Sequence, residues 1–432
     1  MNPQTKVIEK RYIVPFVLIT SLFALWGFAN DITNPMVAAF KTVMELSNTK
    51  ATLIQLAFYG GYTTMAIPAA LFIQKYSYKK GVLLGLGLYA LGALLFFPAA
   101  HYQMFGFFVV SLYVLTFGLA FLETTCNPFI LSLGSKETAT RRLNFAQSFN
   151  PLGSFLGMIV AAKFVLANLN ADKHFDSVGN KIAFSSLDES TKALDRLHDL
   201  AVIRDPYVAL GLVVLAMFVV IAIIKMPDTA HQKDIKPLHS MKRLIHNKVY
   251  RAGVITQIAY VAAQIMCWTF IIQYSENLGL SKEAGQYHNM VAMGLFITGR
   301  FASSYLLKYV NASKLLMWFA IGGIVTITGA IFIVGLPGLY CLVATSLFMS
   351  LMFPTIYGIA LGNVGQDITL GSAELVMAIV GGAIMPMLQA MVIDLGTVGN
   401  LPAVNVSFAL PLMCFVVIAI YGKYSYRILA KR

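Results

Sequence analysis

The amino-acid sequence predicts an all-α membrane protein with twelve transmembrane helices in two six-helix bundles. Of its 432 residues, 58% are hydrophobic and only 12% are charged, which is about half the charged fraction of a soluble domain. Apolar runs of about 20 residues, the length that crosses a bilayer, recur along the whole chain. The short alternating segments typical of a membrane β-barrel are not evident. Composition and run length therefore indicate a polytopic helical protein.

The apolar runs give six predicted spans in each half of the chain. In the first half the spans run near residues 12–40, 51–74, 81–100, 105–133, 143–167 and 207–226. In the second half they run near residues 252–278, 284–307, 312–334, 338–361, 371–394 and 402–421. A long polar stretch separates the two sets. The predicted domains are thus an N-terminal bundle at residues 1–226, a cytoplasmic linker at 227–251 and a C-terminal bundle at 252–432.

Two pairs of segments indicate that the halves are related. ETTCNPFILSLG in the fourth span parallels MSLMFPTIYGIALG in the tenth, which places Pro128 opposite Pro354. FNPLGSFLG in the fifth span roughly parallels VGGAIMP in the eleventh. Helices interrupted by proline and glycine at matching places in two halves are typical of transporters, whose central site lies near the bilayer midplane.

Basic residues predict the orientation of the spans. The net charge is +13 at pH 7, and the cations cluster in alternate loops. This is the positive-inside pattern of membrane proteins, and it explains the basic balance without a nucleic-acid partner. With an even number of spans, both termini are expected in the cytoplasm. The first apolar run lacks a small-residue cleavage site, so we expect it to be a retained span.

The longest loop is expected on the outer side, at about residues 168–206. Four leucines in this loop predict a small amphipathic surface helix: Leu187, Leu194, Leu197 and Leu200.

The sequence contains no pattern that would carry enzymatic or metal chemistry. No zinc-ligand spacing, phosphate-binding loop or nucleophile–base motif is found. The four cysteines lie within apolar runs, which is typical of small buried residues rather than disulfides or metal ligands: Cys126, Cys267, Cys341 and Cys414. We therefore expect neither an enzyme nor a cofactor.

Glu123 is the first candidate functional residue, because it lies in the middle of an apolar run. A charge at membrane depth costs about 3 kcal/mol on insertion scales and is retained where it faces water, a partner or a ligand. Asn127 follows one helical turn later on the same face. A carboxylate and an amide together suit hydroxyl groups, because the first accepts hydrogen bonds and the second both donates and accepts. The alternative is a hydrogen bond that only packs two helices.

The first span contributes a second polar group, in FALWGFANDITNPMVAAF. Asn30, Asp31 and Asn34 lie within about one helical turn, and Asp31 and Asn34 share a face. Trp26, one turn before Asn30, is placed to stack against the C–H face of a sugar ring. The alternatives are a helix-end position in the outer interface for Asp31 and a lipid-facing position for Trp26.

The fifth span opens with a polar stripe in which Asn144, Gln147 and Asn150 recur every three residues. A polar stripe in a membrane helix must face protein or water, although Asn144 has an interfacial position as its alternative. Gly153 and Gly157 follow as a small-xxx-small pair, which allows a neighbouring helix to approach closely.

The second half contains fewer polar groups at membrane depth. Three residues recur at i, i+4 and i+8 on the seventh span: Tyr260, Gln264 and Trp268. Arg300 precedes the cytoplasmic end of the eighth span, where we expect it to extend toward water or to pair with Asp367. Glu374 enters the eleventh span early and is expected to be a cytoplasmic gate residue.

These segments resemble the fucose–galactose–glucose:proton symporters of the major facilitator superfamily. The matched segments spread over both halves: FALWGFAND, IQLAFYGGY, LYALGALLFFPAA, LETTCNPF, RLNFAQSFN, AAQIMCW, GRF and NVGQD…GS. LETTCNPF combined with RLNFAQSFN is specific, whereas GRF alone is not. The resemblance places the family's fourth-span carboxylate on Glu123, its fifth-span amides on Gln147 and Asn150, and its first-span tryptophan on Trp26.

The chain departs from the family pattern in the first span. In an ungapped match the family's aspartate falls on Asn34, while Asp31 stands where the family has asparagine. The carboxylate is therefore displaced by one turn, and this leaves open the exact sugar and whether both acids share the proton-coupling role.

The resemblance implies a major facilitator fold and a proton-coupled importer of L-fucose or a related hexose, working by alternating access in the bacterial inner membrane. A glucose/galactose symporter is the alternative within the same class, and a non-transporting membrane sugar sensor is the alternative from another class. The expected partners are a monosaccharide, a proton and the lipid bilayer, and the protein is expected to be a monomer.

Residue patterns and resemblance together give these candidate substrate-binding residues: Trp26, Asn30, Asn34, Glu123, Asn127, Gln147, Asn150 and Gln264. Glu123 and Asp31 are the candidate proton-coupling acids.

Overall fold

The computed structural model describes residues 8–46, 48–176, 182, 184–227, 237–280, 282–362, 364–399 and 401–429. Its α-helices in the first half are α1 Ile13–Val43, α2 Asn48–Lys75, α3 Tyr78–Leu94, α4 Phe96–His101, α5 Phe105–Ser132, α6 Ala139–Gln147, α7 Phe149–Val160 and α8 Glu189–Ile223. A π-helical turn at Ala161–Val165 continues α7.

The α-helices of the second half begin with a short surface helix, α9 Pro237–His246. The others are α10 Lys248–Thr269, α11 Ile271–Asn277, α12 Lys282–Leu306, α13 Ala312–Phe332, α14 Leu336–Met349, α15 Met352–Leu361, α16 Ile368–Met377, α17 Gly381–Ile393, α18 Ala403–Ser407 and α19 Ala409–Leu429. Two short antiparallel strands, β1 Thr397–Val398 and β2 Leu401–Pro402, form a hairpin before α18.

Within the described residues, eleven helical segments are long and apolar enough to cross a membrane. They coincide with eleven of the twelve predicted spans. The remaining predicted span is α12, whose 25 residues are long enough to cross. Polar residues such as His288, Asn289 and Arg300 lower the mean hydropathy of α12. For this reason α12 is not among the eleven helices that are apolar enough to cross a membrane by composition. The predicted all-α membrane fold is confirmed.

Proline residues mark several places where a span divides into two helices. The fifth span divides at Ser148 into α6 and α7, and Pro151 in the first turn of α7 lacks the N–H that would bond to the Gln147 carbonyl. The tenth span divides in the same way between α14 and α15, just before Pro354. By contrast, Pro128 lies inside an unbroken α5. The two prolines that the sequence pairs therefore have different local effects.

Contacts divide the chain into two compact units, each described separately below. The N unit comprises Val17–Cys126 and Phe149–His231. The C unit comprises Met1–Phe16, Asn127–Ser148 and Gln232–Arg432. The domain boundaries predicted at residues 226/227 and 251/252 remain predictions.

Glycines bring α1 and α7 into backbone contact in the N unit. A Cβ atom on Gly153 would lie 1.8 Å from the Ala24 carbonyl oxygen, and one on Gly157 would lie 2.6 Å from the Phe28 oxygen. Such distances are far below van der Waals contact, so only glycine fits at this crossing. The predicted small-xxx-small pair is confirmed, and its neighbour is the helix that carries the first-span polar group.

Helix α8 begins earlier than the sequence pattern predicts. It runs without interruption for 35 residues from Glu189, through Pro206, to Ile223, a length of about 52 Å. The prediction of a separate surface helix is therefore wrong, because Leu194, Leu197 and Leu200 lie in the same helix as the sixth span, and Leu187 lies before that helix begins. Leu194 and Leu197 are exposed, whereas Leu200 is buried.

Salt bridges and hydrogen bonds connect the start of α8 to the rest of the N unit. Lys192 and Arg196 both pair with Glu45, and the Arg196 Nε donates to the Val43 carbonyl oxygen at the end of α1. The buried Asp199 carboxylate accepts hydrogen bonds from the backbone N–H groups of residues 170 and 171. The long loop and the start of α8 are thus connected to the end of α1.

In the C unit, α10 is the central helix. It packs against α15, α17 and α19, and α13 packs against α14 and α19. Gly253 and Gly381 allow close packing around α10, since a Cβ on Gly381 would lie 2.4 Å from the Ile258 carbonyl oxygen. Thr256, Gln257 and Tyr260 of α10 are therefore buried among the helices of this unit.

Candidate functional site

Glu123 lies in the middle of α5 with its side chain 5% exposed. It is close enough to Tyr62 of α2 for the two groups to interact electrostatically. The Tyr62 hydroxyl in turn donates a long hydrogen bond of 3.5 Å to Asn30 Oδ1 of α1. Tyr62 therefore interacts electrostatically with the acid of α5 and is hydrogen-bonded to one of the predicted hydroxyl ligands.

The first-span acid, Asp31, lies in the interior of α1, which continues for twelve residues to Val43. The alternative of a helix-end residue is therefore wrong. Its carboxylate is hydrogen-bonded to the side chain of Ser154 on α7 and interacts electrostatically with Tyr59 on α2. Asp31 and Glu123 thus have different neighbours, although both face α2.

Tyr59 and Tyr62 are neighbours of the two acids that the sequence pattern does not predict. They lie at i and i+3 on α2, in the segment AFYGGY, and so face the same side of the helix. Their spacing was visible in the sequence. Tyrosine, however, is common both in buried cores and at membrane interfaces, so spacing alone does not assign it to a polar site.

Trp26 is 4% exposed and its ring lies 4.3 Å from that of Phe23, centroid to centroid. A lipid-facing position is therefore wrong for this residue. Asn150 is half-buried, and its Nδ2 donates to the Phe23 carbonyl oxygen at 3.2 Å. The backbone of Asn34 lies in α1, but its side chain is outside the described residues. The N unit therefore brings together Trp26 and Asn150 around the same turn of α1.

Two predicted hydroxyl ligands pair with each other in the C unit. Gln147 Nε2 donates to Asn127 Oδ1 at 2.7 Å, and both side chains are buried. Asn144 is also buried, and its Nδ2 donates to Thr355 Oγ1 on α15 at 3.1 Å. Its amide therefore joins α6 to α15, and the interfacial position of Asn144 stays an alternative.

Arg300 does not form the salt bridge with Asp367 that the sequence suggested. Asp367 is instead bound through both oxygens by Arg243 of α9, at 2.6 and 2.8 Å. Arg300 is 4% exposed and does not reach water. Its guanidinium group stacks over Phe296 at 4.8 Å, and its Nη1 approaches the Gln147 carbonyl oxygen at 3.5 Å. Both expectations for Arg300 were thus wrong.

The other polar residues of the second half are more dispersed. Gln264 is half-buried on α10, and Trp268 Nε1 donates to Ser346 Oγ at 3.1 Å. The Glu374 carboxylate accepts a hydrogen bond of 2.8 Å from the Tyr250 hydroxyl. Its role as a gate residue remains a prediction.

Comparison with protein-family models matches residues 17–386 to the Major Facilitator Superfamily. The chain is 63% identical to the L-fucose-proton symporter of Haemophilus influenzae, over 98% of this chain and 99% of that relative. It is 34% identical to the L-fucose-proton symporter of Escherichia coli, over 96% of this chain and 94% of that relative. A glucose/galactose transporter of Brucella abortus is 30% identical, again over 96% of this chain and 94% of the relative.

Comparison with solved structures also finds transporters of the major facilitator superfamily. The transporter FucP of the major facilitator superfamily, in its outward conformation, matches with a TM-score of 0.87 and 32% identity, over 96% of this chain and 99% of that chain. The proton:xylose symporter XylE matches with a TM-score of 0.68 over 95% of both chains, but at 12% identity it shares the fold alone. Sequence and structure agree that the chain belongs to the major facilitator superfamily and, within it, to the fucose–galactose–glucose:proton symporters.

Proposed function

We propose that this chain is a proton-coupled L-fucose symporter of the bacterial inner membrane, with both termini in the cytoplasm, working as a monomer. The observation that carries the proposal is the identity of 63%, over nearly the full length of both chains, to a protein named as an L-fucose-proton symporter. The buried polar groups of the N unit support it, because they offer amide ligands, a stacking surface and an acid in one structural unit.

Sugar recognition is assigned to the amide groups and to Trp26. Amides of Asn30 and Asn150 both donate and accept hydrogen bonds, as sugar hydroxyls do. The indole ring of Trp26 offers an apolar face to the C–H groups of the ring. Asn127, Gln147 and Gln264 are the further proposed ligands.

Proton coupling is assigned to Glu123, with Tyr62 as the group that transmits its protonation state. The Tyr62 hydroxyl has one proton to donate, and Asn30 Oδ1 accepts it at 3.5 Å. An ionised Glu123 would compete for that proton, whereas a protonated Glu123 would leave it to Asn30. In this mechanism, protonation of Glu123 changes the hydrogen bonding of Asn30, a proposed sugar ligand.

A second candidate substrate class is glucose or galactose, because relatives named as glucose/galactose transporters are 30% identical over most of the chain. L-fucose and these hexoses are all neutral, so the polar groups of the N unit fit either class. A measured preference of the transporter for L-fucose or for these hexoses decides between the two substrate classes.

Counterflow in liposomes tests the proposal. Vesicles that contain the purified protein and an excess of unlabelled L-fucose should take up labelled L-fucose transiently, and empty vesicles should not. D-glucose or D-galactose inside the vesicles should support this exchange poorly. Exchange with D-glucose or D-galactose but not with L-fucose would establish the second candidate, and exchange with no hexose or deoxyhexose would contradict sugar transport altogether.

A further inference from the structure

The short helix α9 lies at the boundary between water and membrane in the C unit. Only Asn247, which caps the next helix, separates α9 from α10, and α10 begins a segment that is long and apolar enough to cross a membrane. Arg243 of α9 binds both oxygens of Asp367, which lies at the start of another such segment. Leu244 of α9 is buried. Two spans therefore hold α9 at the ends where they enter the membrane.

The rest of the α9 surface is exposed, apolar on one flank and basic on the next. Met241 and Ile245 lie one helical turn apart and are 36% and 52% exposed. Lys242 is exposed beside them. A helix with an apolar and a basic flank is typical of segments that lie in the membrane interface, with the apolar flank against the acyl chains.

The same combination continues on the first turns of α10. Lys248, Arg251, Ile255 and Ile258 are all exposed. They recur at i, i+3, i+7 and i+10, so they share one face of the helix. Two cations thus stand at the boundary, and two isoleucines follow them into the span. A phospholipid has the same order of groups, with its phosphate at the boundary and its acyl chains inside.

Acids do not balance these cations. Residues 237–251 contain no Asp or Glu. Asp367 reaches this segment from the start of a neighbouring span, but Arg243 already binds it. The side chains of the other three cations of the segment form no hydrogen bond or salt bridge with any residue that the structure describes. The segment therefore presents positive charge at the membrane boundary.

We propose that α9 and the first turns of α10 form a binding site for an anionic phospholipid. Lys248 and Arg251 bind the phosphate, and the two isoleucines of the same face lie along an acyl chain. The apolar pair of α9 enters the interface beside the headgroup. Charge selects the class of lipid, because basic residues next to a span attract anionic headgroups. This site is separate from the proposed sugar ligands and does not depend on which substrate is transported.

Lipid titration of the purified protein in neutral detergent tests the site, with native mass spectrometry counting the bound lipids. Phosphatidylglycerol should bind more tightly than phosphatidylcholine with the same acyl chains. Lys248→Gln/Arg251→Gln should weaken phosphatidylglycerol binding roughly 5- to 25-fold, since each cation near an anionic headgroup contributes about fivefold. Phosphatidylcholine binding should not change. Lys248→Arg/Arg251→Lys keeps both charges and should bind like wild type.

Lys136→Gln/Lys314→Gln is the matched control, because it removes two exposed cations of the same unit that are predicted on the same side of the membrane. Its affinity for phosphatidylglycerol should stay within about twofold of wild type, a small change on the free-energy scale. If this control loses as much affinity as Lys248→Gln/Arg251→Gln, overall charge attracts the lipid and the inference is wrong. Wild-type affinity in Lys248→Gln/Arg251→Gln also overturns it.

Two further measurements separate the parts of the site. Ile245→Gln should weaken phosphatidylglycerol binding and leave the melting temperature in lipid-free detergent unchanged, because this side chain is exposed. Soluble glycerol 3-phosphate, which has the phosphate but no acyl chains, should not compete with the lipid. Competition as effective as that of the lipid would show a site for soluble phosphates and contradict the proposal.

Salt dependence tests the site in the wild-type protein, without any substitution. Salt screens exposed charges, so the affinity for phosphatidylglycerol should fall as the salt concentration rises, while that for phosphatidylcholine should not. If phosphatidylglycerol binding is independent of salt, charge does not hold the lipid and the inference is wrong.

Discussion

At the scale of single residues, the two acids of the N unit are predicted to have unequal roles. Glu123 lies beside Tyr62 in the middle of α5, whereas Asp31 is hydrogen-bonded to Ser154. A coupling acid must bind a proton in one state and release it in another. We propose Glu123, which lies in the middle of α5, as the principal coupling residue and Asp31 as a secondary one.

Replacing each acid by its amide tests this difference. Glu123→Gln mimics the protonated acid, so counterflow of L-fucose should persist while uphill uptake driven by a pH gradient is lost. Asp31→Asn should reduce uphill uptake only partly. Both are measured in the same liposome preparation with wild-type protein beside them. Normal uphill uptake by Glu123→Gln would remove it from the mechanism, and complete loss in Asp31→Asn alone would assign coupling to Asp31.

Residue identity and spacing predicted the acids and amides but not all of their partners. Glu123, Gln147 and Asn150 were identifiable because polar groups are rare at membrane depth. The partner of Asp367 was not, because Arg243 lies on a surface helix outside every span. Tyr62 was overlooked because a tyrosine in an apolar helix suits many environments. The chemical type of a residue can thus be predicted from the sequence, whereas its hydrogen-bond or salt-bridge partner depends on packing between distant segments.

At the scale of helices, the crossing of α1 and α7 determines where the first-span polar group lies. Gly153→Ala should force the two backbones apart, because its Cβ would lie 1.8 Å from the Ala24 carbonyl oxygen. Overpacking of this kind costs about 1–3 kcal/mol or more. We expect a lower melting temperature and a loss of L-fucose binding, since Trp26 and Asn150 lie at the same crossing.

Gly106→Ala is the matched control for this substitution. It makes the same chemical change in a membrane helix, but a Cβ there would meet no atom within 4 Å. Its melting temperature and binding should match wild type. If Gly153→Ala were equally silent, the close approach of α1 and α7 would not be required for the site.

The start of α8 gives a pH-dependent prediction outside the membrane. Asp188 caps this helix, and hydrogen bonds from the Ser190 hydroxyl and from the Thr191 amide and hydroxyl hold the pKa of its carboxyl below the usual range. Because the folded-state pKa is lowered, the stabilisation is complete above the ordinary pKa of about 4. It decreases as the pH falls from there toward the lower pKa of the folded state.

Amide hydrogen exchange at residues 189–192 measures this cap. Asp188→Ala should speed exchange at neutral pH, and its difference from wild type should shrink below pH about 4. Asp188→Asn keeps a capping oxygen without the charge, so its protection should not depend on pH in this range. Equal exchange in wild type and Asp188→Ala at neutral pH would show that the cap does not hold the helix start.

At the scale of the whole molecule, charge distribution predicts the orientation in the membrane. Cysteines introduced singly at Gln103 and at Lys314, in a chain without the four native cysteines, should differ in their reaction with an impermeant maleimide on intact cells. Gln103 should react from outside, and Lys314 only after the cells are opened. The reverse pattern would place both termini outside and contradict the positive-inside assignment.

The large-scale architecture was the most predictable part of this protein. Hydropathy located eleven of the twelve predicted spans among the described residues, because a bilayer requires about 20 apolar residues per helix. It failed at α8, where a charged segment and a membrane span form one continuous helix, since hydropathy detects apolar length and not helix length. Hydropathy also underestimates α12, because a helix in a bundle can cross a membrane with part of its surface polar.

Coupling of proton and sugar movement is the central claim, and a pH electrode tests it directly. Liposomes with purified protein are suspended in weakly buffered medium without any imposed gradient, and L-fucose is then added outside. We predict that the medium becomes more alkaline as protons enter with the sugar, and that Glu123→Gln abolishes this signal while labelled L-fucose still equilibrates. Entry of L-fucose into wild-type liposomes with no change in external pH, or with acidification, would contradict proton symport.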